Sequence, residues 1–171
     1  PNHFDALNYK ALLLLSQHHF GEALAVAKKA QNIFSYNAFL YGTITDSQVE
    51  LGQYAAAVVS ADSMIAIRPD LRSYSRVAYL REIYGDTTGA IAAMKLAVDA
   101  GLPGNEATEW CRVQLGKLYE QTGNLSYASM HYTIALEKRP YYAPAYAGLA
   151  RIAFAKNETT QAIGLLQQAD A

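Results

Sequence analysis

Four histidines and one cysteine are the residues best suited to metal or nucleophilic chemistry, and their spacing speaks against both. His18 and His19 are adjacent, so their rings point in different directions, and no third ligand stands nearby in sequence. A metal site needs three or four convergent ligands. The pair falls instead where a turn is expected, and it reads as turn residues. His3 and His131 are isolated and read as surface or groove residues. Cys111 sits between Trp110 and Arg112 without a spaced His and Asn or Asp to act as base and orienter. A lone thiol of this kind behaves as a small packed hydrophobe, and it supports neither an internal disulfide nor a cysteine metal site. Neither a G-x-x-x-x-G-K-[ST] nor a G-x-G-x-x-G phosphate loop occurs. The sequence therefore points to no enzyme, no metal and no cofactor.

Composition narrows the class further. Lys and Arg number 14 against 15 Asp and Glu in 171 residues, so nothing draws the chain in bulk to nucleic acid or an anionic membrane. Charged residues are only 17% and apolar ones 51%, with many alanines. Alanine is the best helix former and lets helices approach closely, which favours a tightly packed all-α chain. No apolar run nears the ~20 residues that span a bilayer. The chain starts at Pro1 without an initiator Met or a signal-type segment, so either a leader has been removed or this is an excised piece, and the piece is the expectation.

These sparse groups must be positioned by a repeated element. Alanine recurs at Ala23, Ala57, Ala90, Ala128 and Ala162, at steps of 34, 33, 38 and 34 residues. Each lies five residues after a break: His18, Gly52, Gly85, Gly123 and Asn157. A fixed period with a turn at fixed phase means one supersecondary unit copied in series. Between breaks, apolar residues return every three or four positions, as in Ile91, Met94, Ala97 and Val98. The three glycines fall where a helix must stop in the left-handed conformation. The pattern predicts helices over 4–17, 20–34, 38–51, 54–67, 71–84, 87–100, 106–122, 125–138, 143–156 and 159–170. The long step holds Ala100-Gly101-Leu102-Pro103-Gly104-Asn105 and predicts a longer surface loop.

One copy is especially clear: Leu115-Gly116, Tyr119, Gly123-Asn124, Ala128, Tyr132, Ala135 and Pro140. This run resembles the tetratricopeptide repeat pattern L-G-x2-Y, A-x3-F, A and closing Pro. The family's Trp would stand at Arg112, whereas Trp110 comes two residues early. In the other copies Tyr41, Tyr74 and Tyr146 take the Trp-like place, and Ala61, Met94 and Leu166 the Phe-like one. The resemblance covers essentially the whole chain. It implies an α-α superhelix, a solenoid of ten helices in antiparallel pairs, in one array with repeats near 4–35, 38–69, 71–103, 109–140 and 143–171. Pro1 falls where a preceding repeat would close, and Ile163, Leu165, Leu166 and Ala169 meet no covering helix. Solenoid ends normally carry a polar cap, so both ends read as truncated.

In arrays of this family the first helix of each pair lines a concave groove. By phase, the groove would display Asp5, Asn8 and Leu12, then Phe39, Asp46 and Glu50. Arg72, Ser75, Arg76 and Tyr79 follow, then Trp110, Val113, Gln114 and Lys117, and finally Ala147 and Arg151. Acids gather early and bases late, with Phe39, Tyr79 and Trp110 as flat anchors of the type enriched at interface hot spots. The Lys/Asn set with which some members clamp a C-terminal carboxylate is absent, since Asn8, Leu12 and Thr43 occupy the first two copies; only Arg72 and Arg76 match part of it. The resemblance implies a non-catalytic scaffold that binds a protein or peptide segment through Phe39, Asp46, Glu50, Arg72, Arg76, Tyr79, Trp110, Lys117 and Arg151. Two other readings stay open: a regulatory or sensor domain that binds a small ligand or self-associates through the uncapped C-terminal helix, and the docking module of a larger enzyme. On the histidine argument, purified protein assayed by atomic absorption is expected to carry no stoichiometric zinc; zinc lost on replacing His18 or His19 would overturn the turn assignment.

Overall fold

A computed structural model describes residues 3–170. Among them are ten helices and no strand: α1 (Phe4–Ser16), α2 (Phe20–Ile33), α3 (Ala38–Glu50), α4 (Tyr54–Ile67), α5 (Leu71–Ile83), α6 (Thr87–Asp99), α7 (Glu106–Gln121), α8 (Leu125–Lys138), α9 (Ala143–Ala155) and α10 (Thr159–Ala169). The expected ranges hold. Most helices stop one residue early because the final residue is the C-cap, whose backbone has left helical geometry. Pro1, expected as a closing proline, lies outside the described residues.

The breaks are five copies of one backbone device. His18, Gly52, Gly85, Gly123 and Asn157 have φ of 61°, 71°, 76°, 74° and 65°. In each, the next N–H reaches back five residues: His19 to Leu14, Gln53 to Gln48, Asp86 to Arg81, Asn124 to Tyr119 and Glu158 to Ala153, at 2.8–2.9 Å. This is the Schellman closure, which satisfies carbonyls a helix end would leave orphaned. Histidine and asparagine adopt it at some steric cost, which glycine avoids. At His18 the ring packs edge-on against Phe20, centroids 5.5 Å apart.

The chain divides into two compact units, 1–80 and 81–171, with the division inside α5. In the first, α1 packs on α2, α2 on α3 and α3 on α4, and α1 also touches α3. Its core joins Ala11, Leu24, Ala27, Ala30, Leu40 and Ile44, and a second cluster places Ala57 and Ala61 against Leu80. In the second unit α6 packs on α7, α7 on α8, α8 on α9 and α9 on α10, with α7 touching α9. The recurrent alanines Ala23, Ala57, Ala90 and Ala128 are fully buried and Ala162 nearly so. Tyr132, in the Phe-like slot of the fourth copy, is also fully buried. Its ring lies against Gly116 and Gly148, where an added β-carbon would come within 2.5 and 2.6 Å.

The long step between the third and fourth copies is pinned from beneath. Glu109 is fully buried; it accepts from the Gly104 N–H at 2.9 Å and from Arg112 Nε at 2.8 Å. Arg112 thus occupies the slot of the family's Trp with an ion pair. Gly104 has φ 82°, and a β-carbon there would sit 3.1 Å from the Lys138 carbonyl oxygen. No described helix is long and apolar enough to cross a membrane.

Leucine at an alanine stripe position overpacks a pair of helices at closest approach. Ala128→Leu is expected to lower stability by ~1–3 kcal/mol in urea titration. An unchanged midpoint would mean that the repeats are wrongly phased.

Candidate functional site

In the first unit, helices α3 and α5 bring together six of the sequence-derived site residues. A cavity of about 350 Å³ has Leu12, Phe39 and Met64 as its apolar lining and Arg68, Arg72 and Arg76 among its polar wall, with Asp46 and Asp70. A smaller hollow of about 90 Å³ is lined by Asp46, Glu50, Arg76 and Tyr79. Asp46 and Arg76 belong to both.

These two residues form a clasp between α3 and α5. Arg76 donates from Nε to Asp46 Oδ1 at 2.8 Å and from Nη2 to Oδ2 at 2.5 Å, while Nη1 donates to the Arg72 carbonyl at 3.0 Å. A two-pronged pair of this kind is the strongest geometry open to arginine and carboxylate. The clasp lies over Gly42, where a β-carbon would stand 3.4 Å from the guanidinium carbon, an ordinary van der Waals contact. Arg68 meets Asp70 at 3.1 Å. Asp70 also caps α5, accepting from the Arg72 and Ser73 amides. Arg72 is exposed and pairs with no carboxylate among the described residues.

In the second unit Trp110 and Lys117 are exposed on α7, seven residues and so two turns apart on one face. Arg151 on α9 is clasped like Arg76: it donates from Nη2 and Nε to Glu120 Oε2 at 3.0 and 3.2 Å and from Nη2 to Tyr132 Oη at 3.1 Å. Burial, reinforced by Glu120, pushes the Tyr132 phenol well above its ordinary range, so it remains a neutral hydroxyl. Gln121 donates to Glu82 at 2.7 Å.

Three residues mapped to the groove or surface are elsewhere. Asn8 and Val113 are buried, because helical phase turns them toward neighbouring helices rather than outward. His131 is buried too, its ring stacked on Tyr119 with centroids 5.5 Å apart, and Tyr119 stacks in turn on Tyr127 at 5.2 Å. Cys111 is fully buried, and desolvation pushes its thiol up to about 12, which makes it inert. His18 holds a turn, and His19 meets Glu22 at 3.0 Å. Among the described residues no three His, Cys, Asp or Glu gather as a metal site.

Arg68, Asp70, Met64 and Glu120 went unassigned in the sequence. One signal was present for Glu120: Asp46 precedes Arg76 by 30 residues and Glu120 precedes Arg151 by 31. That is close to one repeat, the spacing that sets acid and base on successive first helices.

No family model and no curated protein matches the chain. Solved structures do match. PilF of Pseudomonas aeruginosa aligns with a TM-score of 0.86 at 15% identity, over 97% of this chain and 76% of that one. MamA from Desulfovibrio magneticus RS-1 gives 0.77 at 16%, over 97% and 92%. YrrB, described as a TPR protein with an unusual peptide-binding site, gives 0.68 at 20%, over 98% and 85%. The fold is that of the tetratricopeptide repeat. At these identities the likeness speaks to the fold alone, and the residues of the two clasps are properties of this chain.

Buried His131 adds a pH dependence to this repeat fold. Desolvation first, then Arg112 and Lys95, lowers its imidazole from 6.5 to about 4. Between those values the unfolded chain takes up a proton that the folded one refuses, so stability falls as pH drops from 6.5 toward 4. His131→Phe is expected to flatten that part of the profile in urea midpoints measured across the range.

Proposed function

We propose that the chain is a non-catalytic interaction scaffold whose first unit takes a short partner segment carrying an acidic group next to an apolar side chain. The observation that carries this is Arg72. It is exposed at a cavity with an apolar lining of Leu12, Phe39 and Met64, and no described carboxylate neutralises it. Arg76 carries the same charge, but Asp46 and the Arg72 carbonyl engage all its arms. Arg72 therefore receives the acidic group, with Arg76 and Asp46 holding the wall in shape and Phe39 stacking on the apolar side chain. Glu50 and Tyr79, in the adjoining hollow, accept a basic or amide portion of the same segment. Trp110, Lys117 and Arg151 form a separate set on the second unit. The described peptide-binding site of YrrB supports the same use of this fold.

A second reading has the cavity volume in its favour. About 350 Å³ lies at the low end of the range for small-molecule pockets, so a sensor for a small carboxylate with an apolar body fits the same residues.

The test is a fluorescence-anisotropy titration with a library of short peptides pairing Asp or Glu with Leu or Phe, alongside free small carboxylates. Peptide binding is expected to weaken about tenfold in Arg72→Ala, equal to ~1.4 kcal/mol. Phe39→Ala should weaken it comparably and Lys117→Ala hardly at all. Binding that survives both first-unit changes would place the site elsewhere, and binding of the small carboxylates alone would favour the sensor.

A further inference from the structure

We propose that the segment taken by the first unit carries two charges of opposite sign about three residues apart: an acid received by Arg72, and a lysine or arginine received by the hollow of Glu50 and Tyr79. The site is the one proposed above, and the pattern rests on that assignment. Glu50 is the counterpart of Arg72: exposed, at the same site, and without a cationic partner among the described residues. It lines the hollow of about 90 Å³ with Thr45, Asp46, Val49, Arg76 and Tyr79. At roughly 30 Å³ per water, that is space for an ammonium or guanidinium head and too little for a whole long side chain.

The lining suits a cation. Glu50 brings a carboxylate, and Tyr79, 50% exposed, brings an aromatic ring, whose face attracts ammonium and guanidinium groups. Thr45 lines the hollow as well, and its buried hydroxyl has no hydrogen-bond partner among the described residues, which leaves an acceptor for an incoming N–H. Arg76 is the cation in the wall. Two of its nitrogens are held by Asp46 and the third by the Arg72 carbonyl, so its charge is balanced and it makes no claim on Glu50.

Helical spacing orders these groups along the site. On α5, Arg72 lies one turn before Arg76 and Tyr79 one turn after it; on α3, Glu50 lies one turn after Asp46, the partner of Arg76. The clasp therefore stands between an unpaired cation on one side and an unpaired carboxylate on the other. Arg72 and Tyr79 are seven residues apart, which is about 10 Å along a helix at ~1.5 Å per residue. An extended segment covers that distance in about three residues at ~3.3 Å each. A wholly acidic segment brings a like charge to Glu50 and a wholly basic one brings it to Arg72, so the site rejects both and selects the mixed pair.

Fluorescence anisotropy with end-blocked peptides and the 171-residue chain tests this. A peptide centred on Asp-Leu-Ala-Lys, in the better of its two chain orders, is expected to bind about fivefold more tightly than Asp-Leu-Ala-Ala, the gain that an exposed ion pair and a cation–π contact supply together. Moving the lysine next to the aspartate, or well beyond the spacing of three, should remove the gain. Glu50→Gln should make the lysine and alanine peptides bind alike, and Glu50→Lys should reverse the preference toward Asp-Leu-Ala-Glu. Tyr79→Leu keeps the apolar bulk and should lose part of the gain; it serves if a Glu50 variant fails to fold. A lysine that adds nothing, while Arg72→Ala still weakens the alanine peptide, overturns the charge pattern and leaves the acidic-group reading standing. Alanine-peptide binding indifferent to Arg72→Ala overturns both. A gain equal at every spacing, or one that survives Glu50→Gln, would show diffuse attraction and overturn the pattern as well.

Discussion

The recurring alanine is the constraint on which the packing depends. Ala23, Ala57, Ala90 and Ala128 are fully buried and Ala162 nearly so, and a side chain as small as a methyl lets packed helices come close. Close approach places the rest. It brings the remaining stripe residues within reach of one another and fixes the angle at which each hairpin leaves its turn. The neighbouring slot, four residues on, can then vary from alanine to tyrosine. The left-handed residue five positions earlier matters for the same reason, because it fixes the rotation at which the second helix begins. Side-chain packing and backbone closure thus specify the same geometry at two points one helical turn and a half apart.

Repetition is what made the fold legible. A lone alanine or a lone glycine says little, but five of one and five turn residues in fixed register leave few alternatives. The helices followed within a residue, including the two hairpins that turn on His18 and Asn157 instead of glycine. Exposure at single positions was harder to read. Val113 and Asn8 lie close in phase to groove residues, and a modest rotation about the helix axis decides between groove and core. His131 looked like a surface residue because its polarity suggested water; flat stacking against Tyr119 gives it an aromatic environment instead. The long loop was visible in its glycines and proline, while its anchor was hidden, because Glu109 reads as an ordinary first-turn acid until Gly104 and Arg112 are seen beside it.

The acid-early, base-late trend has a local origin. Asp46 with Arg76 and Glu120 with Arg151 are pairs whose members belong to successive first helices, acid upstream and base downstream. Each charge is largely spent on its partner, and the trend leaves little net field to attract a distant ligand. Few charged groups are left over, and Arg72, exposed and without a described carboxylate partner, is the clearest of them. Periodic spacing encodes such pairs, but only the folded structure shows which cations they consume.

The slot filled by Tyr132 also bears on how this gene could change. Its ring takes the room that Gly116 and Gly148 leave free, while the corresponding slots elsewhere hold Ala27, Ala61 or Met94. A hairpin moved to another place in the order would bring its own filler to flanks shaped for a different one, leaving a void in one direction and a collision in the other. The copies share a plan without being interchangeable parts. Duplication or recombination between them would be tolerated only with matching changes on both neighbours, which gives a repeated sequence a fixed internal order.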